Sequence, residues 1–378
     1  MGLFLFLFIT IKPGYSAHLT WAQYKQNFQK GRYPAAWGGD SIVFRFLLPY
    51  NYNPSQKYPL VLTLHGMGER GTDDTAQLSA YYLATSFADS TSQVNYPCFV
   101  IAPQCPGVGM SGPLSSLLSW VYPLSSPVVS IATTTITTPL RQALAVVDSF
   151  IRIYSSIDTN RLYIGGMSMG GYGTWNAISR YPNKFAAAFI MCGTGDTSST
   201  VVNSLLNMPI WLGHGQTDPL VPILNKRLMD TAFEKQSKTW LKTVNNTAWT
   251  TISINGVSST WANFVSLVKA APTPQLISTE FTATGHNCWD AFMADTLLIP
   301  WLMSKSKSAS GIRGEMPDRA AVLKPSICAM PYLYFKGTAS GNFMRMNRSA
   351  GTFFNLSGQR LTGEMPGEGV YIFKRMDK

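Results

Sequence analysis

The feature that most constrains this chain is a serine set between glycines, where an apolar run meets a helical pattern. Residues 162–164 are the β-branched and aromatic end of a run that is typical of a buried strand. The run breaks at paired glycines, and a helical pattern follows from Gly170 to Arg180. Ser168 lies between, in the order Gly166-x-Ser168-x-Gly170.

This spacing predicts a nucleophile elbow. The turn is so tight that a side chain at either flanking position would clash, so glycine is needed at Gly166 and Gly170. Ser168 then projects from the turn, and N–H groups at the helix start can stabilise a developing oxyanion. The alternative for an isolated motif is a structural Gly-Ser turn, but here a predicted strand and a predicted helix supply the context that an elbow requires.

Strand and helix patterns alternate around this motif. The alternation, with long unbroken apolar strands, predicts an α/β fold whose central, mostly parallel sheet is covered by helices on both faces. Sites in such folds lie at the carboxyl ends of the strands. The 378 residues, 46% hydrophobic and 13% charged, suffice for one large core and a small appendage. Strands are predicted at 41–49, 58–66, 98–103, 187–191, 209–214 and 276–281, and helices at 74–86 and 140–154.

A nucleophilic serine needs a base, and the four histidines allow elimination. His18 precedes the predicted core, and His65 ends a strand before a glycine-rich loop. The chain order of such triads is serine, acid, histidine. Both His214 and His286 follow the serine, but only His286 leaves room for an acid on an intervening strand. His286 is therefore the predicted base.

Asp218 is the predicted acid, because it lies just beyond the strand that ends at His214. Its alternative is a turn residue before Pro219. Asp196 is the competing carboxylate, but it follows the preceding strand.

An oxyanion hole needs two backbone donors. The N–H of Met169, directly after the serine, is the first candidate. The N–H of Met67 is the second, because the glycine-rich loop 65–71 follows the second core strand. His65 itself is predicted to brace this loop.

The long stretch from Asp89 to Arg141 has no charged residue between its ends. Its loop, 107–138, is predicted either to form an apolar wall over the site or to pack as a surface connection. Trp120 on this loop, Tyr172 and Trp289 are the candidate substrate-binding residues, since aromatic faces suit acyl groups and sugars.

Five motifs, in order, resemble the α/β-hydrolase esterases often described as "predicted peptidases", which are related to feruloyl esterases and polyhydroxybutyrate depolymerases. The resemblance runs from about Phe44 to Leu302 and implies a serine esterase with no metal or cofactor. It implies the same triad of Ser168, Asp218 and His286. This chain differs in the uncharged loop and in an insert near 245–274. The five motifs lie at 64–74, 100–106, 166–171, 214–222 and 285–289.

The two ends of the chain predict export. Residues 1–10 are apolar but too short to span a bilayer, so they predict a signal peptide over 1–16; the alternative is a buried strand. The catalytic domain is then 17–303, and the serine- and lysine-rich segment at its end opens a linker over 304–330. Residues 331–378 form a predicted β-rich module that resembles the C-terminal sorting or adhesion modules of exported Bacteroidetes proteins. Its alternative is a small β appendage without a targeting role.

Composition argues against other partners. Twelve of the 30 Lys/Arg but only five of the 19 Asp/Glu lie in 301–378, so most of the net charge of +11 is there. No basic stripe is interleaved with aromatics, which disfavours nucleic acid. No Cys-x-x-Cys pair occurs among the five cysteines, which disfavours structural zinc. No stable membrane insertion is expected.

The predicted function is hydrolysis of carboxylic esters, of acetyl or feruloyl type, on plant polysaccharide. The enzymatic alternatives are a prolyl-oligopeptidase-like serine peptidase and a polyester depolymerase. The non-enzymatic alternative is an inert hydrolase-fold protein that binds or adheres. The segment before the core, up to about Gly39, is far too short for the gating domain of the peptidase type.

Overall fold

The computed structural model describes most of the region predicted to be catalytic and short pieces beyond it. Fifteen strands and nine α-helices are assigned within these residues. The described residues are 27–33, 41–79, 81–107, 119–122, 131, 134–236, 240–245, 252–254, 257–270, 276–282, 284–307, 334–335, 344–347, 352–355 and 360–361.

Twelve strands form one mixed sheet. Its order is β10-β9-β8-β11-β7-β6-β5-β3-β4-β2-β1-β12. The central pairs from β4 to β8 are all parallel, and the pairs at the two edges are antiparallel. The strands are β1 Gln29–Tyr33, β2 Ile42–Leu47, β3 Tyr58–Leu64, β4 Phe99–Gln104, β5 Ile157–Met167, β6 Ala187–Met191, β7 Ile210–Gly215, β8 Trp240–Asn245, β9 Ile252–Ile254, β10 Val257–Ser259, β11 Leu276–Phe281 and β12 Tyr334–Phe335.

Helices cover both faces of this sheet. The longest, α3, begins where the Thr137 side chain accepts a hydrogen bond from the N–H of Leu140, which is a standard N-cap. The helices are α1 Ala76–Ser79, α2 Ser90–Asn95, α3 Thr138–Ile153, α4 Met169–Arg180, α5 Ser199–Ser204, α6 Ile223–Lys235, α7 Trp261–Ala270, α8 Trp289–Met293 and α9 Leu298–Met303.

The core is divided by the sheet because strand side chains alternate between its faces. In β3, Leu60 and Leu62 pack into a cluster with residues of α3, α4 and α6. Their neighbour Val61 packs into a second cluster with residues of α7, α8 and α9. All three side chains are fully buried, and each such burial stabilises the fold by roughly 1.5–3 kcal/mol. The predicted α/β fold with a mostly parallel sheet is confirmed.

The strands predicted between 41 and 281 and the helix predicted over 140–154 are confirmed, whereas one predicted helix is not. The strands at 187–191 and 276–281 and the helix near 140–154 form as expected. The single helix predicted over 74–86 is wrong, because the described residues of this stretch form α1 and, at its end, a short 3-10 turn at Thr85–Phe87. Asp74 and Tyr81 have positive φ angles of 56° and 61°, which a right-handed helix cannot accommodate.

The insert predicted near 245–274 extends one edge of the sheet. Within it, β9 and β10 pair with each other, and β9 pairs with β8. The helix α7 then packs Phe264 into the core. Strand β8 was not predicted.

The first residues of the predicted linker bond to the large sheet. The Tyr163 hydroxyl donates to the carbonyl of Lys305 at 2.7 Å, and the N–H of Lys307 donates to the carbonyl of Asn160 at 3.0 Å. The backbone of Lys305 and Lys307 therefore bonds to residues of β5, so these two residues pack against the predicted catalytic domain.

The predicted C-terminal module contributes to both sheets. Strand β12 pairs antiparallel with β1 at the edge of the large sheet. A separate antiparallel sheet contains β13 Met344–Asn347, β14 Thr352–Asn355 and β15 Arg360–Leu361. The last residues of this module from 362 on, the signal peptide predicted over 1–16, Cys328 and most of the loop 107–138 lie outside the described residues. Within the described part of the chain, no helix has the length and apolar character needed to cross a bilayer.

Buried Asp295, between α8 and α9, makes stability depend on pH. Its Oδ1 accepts the N–H of Leu297 at 2.9 Å, and burial raises the pKa of its carboxyl to about 7. The unfolded chain loses this proton near pH 4, so the free energy of unfolding falls as pH rises from about 4 to about 7. We expect Asp295→Asn to raise the Tm at about pH 8, with the gain shrinking at about pH 4, because asparagine keeps the acceptor and cannot ionise.

The matched control is Asp89→Asn, at the more accessible N-cap aspartate of α2. Thermal unfolding of both variants at the two pH values checks this prediction. A Tm change for Asp295→Asn that is the same at both pH values would contradict it.

Candidate active site

The turn between β5 and α4 has the geometry of an elbow. Ser168 occupies it with φ 52° and ψ −121°, a strained conformation for a residue with a side chain. A Cβ on Gly170 would lie 1.8 Å from the carbonyl oxygen of Leu64, and one on Gly166 would lie 2.3 Å from the carbonyl oxygen of Gly170. Both flanking positions therefore require glycine, and Ser168 begins a helix that lies against β3.

Three predicted side chains meet at the carboxyl ends of β5, β7 and β11. The Oγ of Ser168 lies 2.8 Å from Nε2 of His286, and Nδ1 of His286 lies 2.7 Å from Oδ2 of Asp218. A carboxylate only accepts, so Nδ1 carries a proton and Nε2 is free to accept the serine hydroxyl proton. Ser168, His286 and Asp218 thus form one continuous chain of hydrogen bonds.

The Asp218 carboxylate accepts from four donors. Its Oδ1 accepts the N–H groups of Leu220 and Val221, both at 2.9 Å. Its Oδ2 faces His286 and also lies 3.2 Å from Nε2 of His214. Burial alone would raise the pKa of Asp218, but hydrogen bonds from the two histidines and the backbone outweigh it and hold the pKa well below its usual value. Asp218 is therefore ionised.

His286 is held by contacts on its ring and its backbone. The ring of Trp289 meets it edge-on, with centroids 4.8 Å apart, and the thiol of Cys192 donates to its carbonyl oxygen at 3.2 Å. Burial of the imidazole lowers its pKa, but the hydrogen bond to Asp218 opposes this effect, and the net shift is upward. The carboxylate thus stabilises the imidazolium that forms when the serine proton is taken.

The two predicted oxyanion donors occupy equivalent positions. Met67 begins a 3-10 turn that ends at Glu69, and Met169 begins α4. The first N–H groups of a helix have no partner within that helix, so both are available to a ligand. Gly66, next to Met67, lies beside the nucleophile, since a Cβ placed on it would be 3.7 Å from Cβ of Ser168.

His65 braces the loop that carries Met67. Its Nδ1 donates to the carbonyl of Gly66 at 2.6 Å, and its Nε2 accepts the N–H of Cys105 at 2.8 Å. Burial lowers the pKa of His65 to about 4, so the ring stays neutral and both nitrogens keep these roles. The loop carrying Met67 is thereby tied to the end of β4.

Trp120 does not line a cleft, contrary to the prediction. Its side chain is fully buried, its Nε1 donates to the carbonyl of His65 at 3.0 Å, and its Cβ and Cγ lie against Gly173 of α4. A tryptophan buried in this way satisfies its N–H and fills the core. Trp120 therefore supports the His65 loop from behind, and its surface is out of reach of substrate.

Tyr172 and Trp289 lie close to the triad but expose little surface. Tyr172 is 6% exposed and Trp289 is 5% exposed. Burial, followed by the charge of Asp218, raises the pKa of the Tyr172 phenol to about 12, so the hydroxyl stays protonated. Tyr81, which the sequence did not single out, packs against Trp289 with ring centroids 5.0 Å apart. Trp289 packs on the ring of His286, and contact of Tyr172 or Trp289 with substrate stays a prediction.

One group of ligand-type side chains in the described residues overlaps the triad. Donor atoms of Cys192, Asp218 and His286 all lie within 4.8 Å of one another. These atoms already bond within the protein, since Asp218 pairs with His286 and Cys192 donates to the His286 carbonyl. We assign no metal to them. Cys192 is a buried free thiol that neighbours Cys288, with Sγ atoms 3.2 Å apart.

Part of the chain that carries this site is similar in sequence to known proteins. Residues 118–260, which include Ser168 and Asp218, match the family described as Phospholipase/Carboxylesterase. The acyl-protein thioesterase 1 of Kluyveromyces lactis is 27% identical over 172 residues, 43% of this chain and 71% of that protein. The bifunctional acetylxylan esterase/xylanase XynS20E of Neocallimastix patriciarum is 32% identical over 173 residues, 46% of this chain and 21% of that protein.

A solved structure is similar over a larger part of the chain. A thermostable esterase matches with a TM-score of 0.56 and 30% identity, covering 74% of this chain and 64% of that one. The chain thus spans less than two thirds of this esterase and about a fifth of the bifunctional enzyme. The sheet, the hydrogen-bonded side chains and the matches agree: the chain has the α/β-hydrolase fold and is an enzyme of the carboxylesterase and serine hydrolase type.

Proposed function

We propose that this chain is an exported serine esterase that hydrolyses acetyl- or feruloyl-type esters on plant polysaccharide. The observation that carries the catalytic part is the unbroken hydrogen-bond chain from Ser168 through His286 to Asp218. A serine, an imidazole of fixed tautomer and an ionised carboxylate in this order are the parts that acyl transfer requires.

The geometry supports a two-step reaction. His286 takes the hydroxyl proton of Ser168 through Nε2 as Oγ attacks the ester carbonyl. The imidazolium then gives that proton to the leaving alcohol, and an acyl group stays on Ser168. A water molecule, activated by the same Nε2, attacks the acyl carbon and releases the acid. Asp218 holds the ring and its charge throughout.

The negative oxygen that forms during each step needs donors beside Ser168. The N–H groups of Met67 and Met169 are the proposed pair, because each begins a helical turn and neither is used within it. The α4 dipole adds to the donation by Met169. Removal of one oxyanion donor from a serine hydrolase slows it by roughly a hundred- to a thousand-fold.

Sequence resemblance and one relative support the substrate. The five sequence motifs resemble those of esterases related to feruloyl esterases. The bifunctional relative is named as an acetylxylan esterase. A peptidase or a polyester depolymerase would use the same triad, so substrate comparison decides among them. Export rests on the predicted signal peptide over 1–16 and on the resemblance of 331–378 to sorting modules, whose proposed partner is export machinery.

We expect an order of preference among four substrates. The kcat/KM should be highest for methyl ferulate or an acetylated xylo-oligosaccharide, and lower for a hydroxybutyrate oligomer and a proline-containing peptide anilide. An amide is hardest to cleave because its amine leaves poorly. Ser168→Ala should lose roughly four to six orders of magnitude on every substrate, because the nucleophile is absent.

The matched control is Ser55→Ala, which changes an exposed serine in the turn between β2 and β3. It should retain wild-type rates. A clear preference for the anilide would assign the chain to the peptidases, and activity on the hydroxybutyrate oligomer alone would assign it to the depolymerases. Full activity in Ser168→Ala would overturn the mechanism.

The pH dependence of kcat/KM reports the base. His286 must be neutral to accept a proton, and Asp218 raises its pKa, so activity should fall on the acid side at a pH above the ordinary histidine value of 6.5. In Asp218→Asn this acid limb should move to lower pH, because the carboxylate no longer stabilises the imidazolium. The maximal rate should fall by roughly 10⁴-fold.

Initial rates on p-nitrophenyl acetate, measured from about pH 5 to about pH 9, give both profiles. An acid limb that stays at the same pH in Asp218→Asn would show that the carboxylate does not set the pKa of the base.

A further inference from the structure

We propose that His214 is a positioning residue for Asp218, whose carboxylate it holds toward His286. The proposal rests on the catalytic function proposed above. His214 was excluded as the base on sequence, and the structure gives it a different place in the site.

His214 contacts Asp218 directly. It lies in β7, four residues before Asp218, and its side chain is 1% exposed. Its Nε2 lies 2.8 Å from the carbonyl oxygen of Val221 and 3.2 Å from Oδ2 of Asp218. A carbonyl oxygen accepts only, so Nε2 must carry a proton, which it shares between the carbonyl and the carboxylate. His214 is thus a donor to the catalytic acid.

The carboxylate would be held unevenly without this donor. Two backbone N–H groups hold Oδ1, whereas among the described residues the donors to Oδ2 are the two histidines. His286 changes charge in every cycle, so it cannot serve as a fixed anchor for the atom it bonds. His214, buried behind Asp218, supplies the fixed contact.

Water cannot replace this contact. The Asp218 side chain has no exposed surface, and His214 has almost none. A buried carboxylate that loses a donor is left with an unsatisfied hydrogen bond, because no solvent reaches it to replace the donor. We therefore expect the loss to appear in catalysis.

The position of His214 also joins the two loops of the triad. The next residue, Gly215, meets the turn that carries His286, since a Cβ on Gly215 would lie 1.9 Å from the carbonyl oxygen of Gly285. The N–H of Gln216 donates to the carbonyl of Phe281 at 2.9 Å, and Thr217 Oγ1 donates to the carbonyl of Thr284 at 3.2 Å. His214 therefore sets the carboxylate where the two loops are already in backbone contact.

The first test compares two substitutions. His214→Met fills a similar volume without a donor, whereas His214→Gln places an amide N–H near the position of Nε2. We expect the methionine variant to lose roughly ten- to a hundred-fold in kcat, as for loss of a hydrogen bond to a charged group, with KM changed less than about two-fold. The glutamine variant should recover most of this loss.

His214→Asn is the matched control for placing a polar amide at this position. Its amide reaches the place of Nδ1 but not that of Nε2, so Asp218 is left without the donor. If the methionine variant fails to fold, glutamine and asparagine are compared instead. The proposal requires the glutamine variant to be clearly faster. Equal kcat values in these two variants, or a methionine variant as fast as the wild type, would overturn it.

The second test separates positioning from general damage. His214→Met is made in the Asp218→Asn background, and the rate constant for labelling of Ser168 by a fluorophosphonate is measured for each variant. A residue that acts through the carboxylate should cause little further loss once the carboxylate is gone. The same fold loss in both backgrounds would overturn the proposal. A wild-type chain that is not labelled at Ser168 would instead refute the proposed function.

Discussion

Helix α4 crosses β3 so closely that the backbones of Gly170 and Leu64 touch. A Cβ on Gly170 would lie 1.8 Å from the Leu64 carbonyl oxygen, so no other residue fits without moving the strand or the helix. This contact forces the sharp turn at Ser168 and its strained φ of 52°. It also brings the loop that follows Leu64 beside the serine. One backbone contact thus sets both the nucleophile and the proposed oxyanion loop.

The remaining catalytic groups depend on neighbouring strand ends. Parallel strands β5, β6, β7 and β11 place their carboxyl ends along one edge, so Asp218 and His286 reach Ser168 from separate loops. Buried side chains then hold these groups in place. His65 and Trp120 bond within the loop that carries Met67, and His214 contacts Asp218. Because these supports are buried, their hydrogen bonds cannot be exchanged for water, which keeps the site in one arrangement.

The fold and the three central residues could be predicted because their signals are local or follow chain order. The glycines around Ser168 indicate a tight turn, and elimination among four histidines left His286.

The buried side chains that hold the site could not be predicted, because they depend on contacts between distant residues, such as Trp120 with His65. The aromatic character of Trp120 suggested a substrate surface, whereas a fully buried brace has the same sequence signature. The helix expected over 74–86 failed for a related reason, since positive φ at Asp74 and Tyr81 leaves no clear mark in the sequence. The residues near Lys305 looked like a linker although their backbone bonds to β5.

The proposed catalysis requires Ser168 to carry the acyl group, and trapping that intermediate tests this requirement directly. The enzyme is mixed with p-nitrophenyl acetate, quenched in acid during turnover, digested and analysed by mass spectrometry. We expect an acetyl group on the peptide that contains Ser168, and none on that peptide in Ser168→Ala, because only the serine can form the ester. Turnover accompanied by acetylation at another residue, and not at Ser168, would contradict this assignment.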